Sequence, residues 1–161
     1  MVLPPNRRSA SVYWLMLLAG LELDEKLAGL IGIAPAPDFT DWGVGQAEKA
    51  RLTAGETVWE ANPYGPEPTP THPGFWADGQ AQLLLSGEIP IDCPVRLLHG
   101  QQDPDVPWDI SLRLAERLRS ADVQVLLVGM GDQLTVIDRL EAAGSNWQLW
   151  LEVPLSPARS E

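Results

Sequence analysis

Asp103 is the residue best placed to do chemistry in this chain. Residues 95–98 form a short apolar run (Val95, Leu97, Leu98), opened by Pro94 and closed by Gly100, that reads as a buried strand. The Gly and Pro residues after it impose a tight turn. Asp103 sits in that turn, just beyond the carboxyl end of the strand, where open α/β sheets bind their ligands. A carboxylate there could orient an imidazole or hold a ligand. The chain has two histidines: His99, which closes the strand and reads as structural, and His72, which lies in a proline-rich stretch. Ser9 and Ser11 are candidate nucleophiles, but a serine beside a helix start more often caps free N–H groups. Cys93 is the single cysteine, which excludes an intrachain disulfide, and no Cys or His cluster has zinc-ligand spacing. No metal or cofactor is expected.

The elements that must hold Asp103 follow from hydrophobic period. Residues 109–119 place Ile110, Leu112, Leu114, Ala115 and Leu118 among Arg113, Glu116, Arg117 and Arg119, an amphipathic helix. Val123 to Val128 is a second β-branched run. Strand, acid-bearing loop, helix, strand is a βαβ unit, the building block of a parallel sheet with right-handed crossovers. Earlier in the chain, Leu27 to Ala34 reads as a strand covered on both faces. A first helix is expected over residues 9–20, a polar helix over 45–54, and an amphipathic helix from Phe75 to Leu85, ending at Gly87. Between the last two, residues 62–73 hold five prolines, which exclude helix and favour an extended surface excursion. Residues 35–90 therefore form an insertion over the carboxyl edge of the sheet, either a cap-like excursion or an ordinary surface connection. One more short helix is expected around Leu134, Ile137 and Leu140; the tail, 134–161, has no clear period.

Composition bounds the function. A chain of 161 residues makes one domain or part of one. Its 11 Lys and Arg against 22 Asp and Glu, a net charge of -11, argue against nucleic-acid and anionic-membrane partners, which need a basic face. Val12 to Leu21 is far short of the roughly 20 residues of a membrane helix. Behind Arg7 and Arg8 it also fits a secretory leader, although no convincing small-x-small cleavage site follows. The lone cysteine favours a reducing, cytoplasmic setting.

The segment "PVRLLHGQQDPDVPW" resembles the acid segment of α/β-hydrolase-fold serine hydrolases, in the esterase and thioesterase branch that includes the abhydrolase-10 type acyl-protein thioesterases. The resemblance implies a partial α/β-hydrolase fold with about three parallel strands, flanking helices and a cap, with Asp103 as the catalytic acid and a small ester or thioester as substrate. Trp14 to Gly20 resembles the helix after the family's G-x-S-x-G elbow, whose glycines relieve a strained strand-to-helix turn. Laid in register, Arg8 and Val12 fall on the motif glycines and Ala10 on the nucleophile. The family's Gly-Asp-His turn is Gly131-Asp132-Gln133 here, and a glutamine is no base near neutral pH.

The departures at both ends flank a middle that follows the family pattern closely, so the chain reads as a truncated or frame-shifted product, or a designed fragment. The expected function is that of a degenerate carboxylesterase or thioesterase, a pseudoenzyme in which Asp103 accepts hydrogen bonds from its own turn. The other reading is a non-catalytic assembly protein that pairs through an exposed strand edge and a Trp-rich surface (Trp14, Trp42, Trp59, Trp76, Trp108, Trp147, Trp150), although most of these rings fit a core.

Overall fold

A computed structural model describes residues 27–62 and 65–129. The expected helices at 9–20 and 134–144, the tail, Ser9, Ala10, Ser11, Gln133, Trp14, Trp147 and Trp150 lie outside the described residues.

Three parallel strands form the main sheet: β1 (Leu30–Ile33), β4 (Val95–Gly100) and β5 (Val123–Val128), in the order β1-β4-β5. β4 lies in the middle and every one of its residues is buried, as its apolar run requires. The crossover to β5 is made by α4 (Asp109–Arg117), which lays Ile110 and Leu114 on the face of the sheet that carries Leu30, Val95 and Leu97. Leu85, Ile89, Ile91 and Leu118 complete that core. Leu112 was expected on the apolar face but is exposed, because two residues turn a helix about 200° away from Ile110. The helix also stops before 119: Leu118 is extended, and Ile89 and Leu118 form a parallel bridge.

β1 is shorter than the expected strand, and its residues alternate between buried and exposed. Ile31 is 44% exposed, and so is Leu126 of β5 at 40%; register puts both on the face opposite α4. Pro35 has no N–H for a ladder, and Ala34, at φ 45°, turns the chain out of the sheet. On the same opposite face, Arg96 is buried within β4. Its guanidinium forks onto Asp122, just before β5, with Nη1–Oδ1 at 2.9 Å and Nη2–Oδ2 at 3.0 Å. The hydrogen bond from Arg96 holds the Asp122 carboxyl below the usual carboxylate range, and the pair fixes the start of the β4–β5 register.

The excursion between β1 and β4 contains α1 (Phe39–Trp42), α2 (Gln46–Thr53), a two-stranded antiparallel ribbon of β2 (Val58–Glu60) and β3 (Thr69–Thr71), and α3 (Pro73–Ala81). Within the proline-rich stretch, Thr69–Thr71 is extended as β3, with Pro70 opposite Trp59 in the ribbon, while residues 65–67 bend and Pro73 opens α3. α3 begins two residues before the expected Phe75 and ends at Ala81 rather than Leu85. Pro73 occupies the first turn, where its missing N–H costs nothing, so this proline starts the helix. Of the four tryptophans described, Trp59 and Trp108 are exposed. Trp42 and Trp76 are half-buried and donate their indole N–H inward, to Pro37 O (2.7 Å) and Thr40 O (3.0 Å).

α3 crosses α1 at Gly79 over Thr40. A Cβ on Gly79 would lie 2.5 Å from Thr40 Cγ2 and 2.6 Å from Oγ1. Thr40 is itself buried, so it has no room to retreat. Gly79→Ala is therefore expected to lower the unfolding midpoint: an overlap of about 1 to 3 kcal/mol outweighs the roughly 1 kcal/mol that alanine gains in helix propensity. A denaturant melt checks this, and a raised midpoint would show that the crossing gives way freely.

Candidate functional site

Asp103 stands where the carboxyl end of β4 opens into a loop. The turn begins when Asp103 N–H donates to Gly100 O (3.3 Å). Asp103 Oδ1 then accepts from the N–H groups of Asp105 and Val106, each at 2.9 Å. This is an Asx-type turn, in which a side-chain oxygen stands in for a backbone carbonyl. Among the described residues no donor reaches Oδ2. The expected local role of Asp103, accepting hydrogen bonds from its own turn, is thus visible.

His99 underlies the turn. It is fully buried, with Nε2 3.0 Å from Val106 O and Nδ1 2.7 Å from Ser111 Oγ. A carbonyl can only accept, so Nε2 carries the proton and Nδ1 accepts from the Ser111 hydroxyl. Burial pushes the His99 pKa down, against the opposing pull of Val106 O, Asp103 and Asp109, and the ring is neutral. Ser111 is as buried as His99, so this serine–histidine contact is closed to any substrate and serves to hold the loop. Val106 is therefore fixed twice: its N–H by Asp103 and its carbonyl by His99. Its side chain packs with Ala36 and Phe39, which join the acid turn to the segment leaving β1.

That segment brings in Asp38, which the sequence reading did not single out. It is buried, and its carboxylate accepts from the N–H groups of Leu84 and Leu85. Burial pushes its pKa up, partly offset by those two N–H groups. A signal was present: Pro35-Ala-Pro-Asp38 follows a strand just as Gly100-Gln-Gln-Asp103 does. His72, the other histidine, is exposed at the N-cap of α3 with Nδ1 3.2 Å from Thr57 Oγ1, and no hydrogen bond joins it to Asp103. Among the described residues no group of three or more His, Cys, Asp or Glu could hold a metal ion, and no helix is long and apolar enough to cross a membrane.

No family model matches the chain. Mouse palmitoyl-protein thioesterase ABHD10, mitochondrial, is 39% identical over 123 residues, which is 74% of this chain and 41% of that protein. A putative hydrolase from Agrobacterium vitis S4 superposes with a TM-score of 0.72 at 34% identity, covering 87% of this chain and 58% of the other. Mouse alpha/beta hydrolase domain-containing protein 10 gives 0.70 at 32% identity, covering 87% and 59%. The chain spans about two fifths of the length of the curated relatives it matches. The expected cytoplasmic setting is overturned by the mouse and human relatives, both mitochondrial. A single cysteine excludes an intrachain disulfide, but it does not distinguish one reducing compartment from another.

The His99 geometry sets a pH dependence. A His whose folded pKa is depressed contributes stability above its unfolded value, near 6.5, and that stability is lost as pH falls through the folded pKa. Between pH 7 and 5 the wild-type chain is expected to lose up to about 1.4 kcal/mol per pH unit from this one proton, and His99→Gln should lack that slope. Parallel denaturant melts of the two proteins read the difference; identical slopes would show that His99 charges freely within the fold.

Proposed function

We propose, from homology to the ABHD10 palmitoyl-protein thioesterases and from the α/β-hydrolase fold, that this chain carries the acid position of a thioester- or ester-hydrolysing site at Asp103 and does not run triad chemistry as it stands. The observation that supports this most is the Asp103 turn just beyond the carboxyl end of β4, where Oδ1 is tied to the N–H groups of Asp105 and Val106. In a serine hydrolase the acid holds the histidine in its working tautomer, and the histidine takes the proton of the serine. By the resemblance of the sequence to the family pattern, Gln133 and Ala10 stand at those two positions. Glutamine donates and accepts hydrogen bonds but does not take a proton near pH 7, and alanine offers no nucleophile. The acid then has nothing to orient. Its contribution is confined to the turn, whose Val106 packs with Ala36 and Phe39.

Acid and structural roles separate on substitution. Asparagine keeps the Oδ1 acceptor, so Asp103→Asn is expected to shift stability by less than about 1 kcal/mol and to change any residual p-nitrophenyl ester hydrolysis by less than about threefold. Asp103→Ala removes both turn bonds and should cost about 1 to 3 kcal/mol. A hundredfold fall in hydrolysis for Asp103→Asn with an unchanged melt would show that Asp103 still orients a base, with His72 the first to test.

A further inference from the structure

The chain leaves β1 after Ile33 and re-enters the sheet at Val95, and one side chain, that of Asp38, ties the outgoing segment to Leu84 and Leu85 on the returning one. Asp38 is 4% exposed and holds a left-handed backbone at φ 58°. Its Oδ1 and Oδ2 lie 2.9 and 3.0 Å from Leu84 N, and Oδ2 lies 2.7 Å from Leu85 N. These donors sit 46 and 47 residues further along the chain. Two residues beyond Asp38, Thr40 receives the other end of the excursion: its carbonyl accepts the Trp76 indole N–H, and its Oγ1 accepts from Gln80 Nε2 at 3.2 Å. The entry and exit of the excursion are thus bonded to each other within three residues of where it begins.

For stability alone, a buried carboxylate is a poor choice. Burial raises its pKa, Leu85 and Leu84 N–H lower it, Asp41 raises it and Arg113 of α4 lowers it, with burial dominant. A carboxyl group whose folded pKa lies above its unfolded one favours the protonated form on folding, so at neutral pH its charge weakens global stability. What the charge supplies is geometry. Two oxygens accept from two consecutive N–H groups, whereas the isosteric amide has one acceptor and points its NH₂ donors at a donor.

We propose that Asp38 is a positioning residue that closes the neck of the excursion, fixing α1 and α3 to the sheet as a roof beside the acid turn and not as a lid that swings at its base. Phe39, next to Asp38, packs with Ala36 and Val106, so the position of the neck is passed directly to the loop that carries Asp103. Motion left to the excursion then belongs to its far side, at the β2–β3 ribbon and the Gly55 turn, where φ is 85°. The proposal does not depend on whether the chain hydrolyses anything.

Residue-resolved amide exchange on the full chain and on Asp38→Asn tests it. Asparagine is isosteric and tolerates the left-handed backbone, so the substitution removes the second acceptor and little else. The amide of Leu84 or Leu85 is expected to exchange at least tenfold faster and the Trp76 indole N–H resonance to shift, while Leu97 and Leu98 in β4 keep their rates. Unchanged rates at Leu84 and Leu85 would overturn the proposal. So would a loss of protection that reaches β4 equally, or a variant that does not fold, since either would make Asp38 an ordinary core residue.

Discussion

The structure depends on the burial of β4 from Val95 to Gly100. A strand with no residue at the surface has only its ladder to satisfy its peptide groups, so its pairing with β1 on one side and β5 on the other is forced in register. That register decides which side chains face α4 and where the strand must end. Because β4 stops at Gly100, the next few residues leave the sheet at its carboxyl edge and carry Asp103 with them, to the side on which open parallel sheets generally bind ligands. The acid is a consequence of the strand, and Val106 then ties it back to the core.

Five of the six buried polar side chains among the described residues are matched around this frame by a specific partner. Arg96 forks onto Asp122, His99 bridges Ser111 and Val106, Asp38 collects Leu84 and Leu85, and Thr40 takes Trp76 and Gln80. Buried charges cost desolvation that hydrophobic residues would avoid, so their retention here is tied to where they point. Arg96 sits at the start of β4, away from the carboxyl edge, and sets register. Asp38 and His99 lie at the carboxyl end and hold the two loops that flank the site. Stability and positioning are thereby divided between opposite ends of one strand.

Much of this was legible in the sequence. The βαβ unit was readable because β4, α4 and β5 have clean and different periods, and the acid was readable because Gly and Pro punctuate the turn. The polar helix near 45–54 and the extended part of the proline-rich stretch were found for the same reason. The misses have physical causes. The start of α3 was placed late because a proline run argues against helix, while a single proline at the first helical position promotes it. Its end was placed late because Leu84 and Leu85 continue an apolar pattern, yet their N–H groups are claimed by Asp38, a long-range bond that no local pattern reveals. Exposure of Ile31 was missed since composition cannot show which neighbours a strand has. Asp38 itself was passed over because a carboxylate after a strand reads as solvated unless its donors, 46 residues away, are known.

The central proposal is that Asp103 keeps the acid position of an α/β-hydrolase fold without a serine nucleophile and histidine base to complete a triad. The most direct measurement is intact-protein mass spectrometry after incubation with a long-chain acyl thioester and, separately, with a fluorophosphonate. The account predicts an unmodified mass in both samples over times in which a functional serine hydrolase is fully labelled. A stoichiometric acyl or phosphonyl adduct, mapped to Ser9 or Ser11 and abolished by replacing that serine, would contradict it.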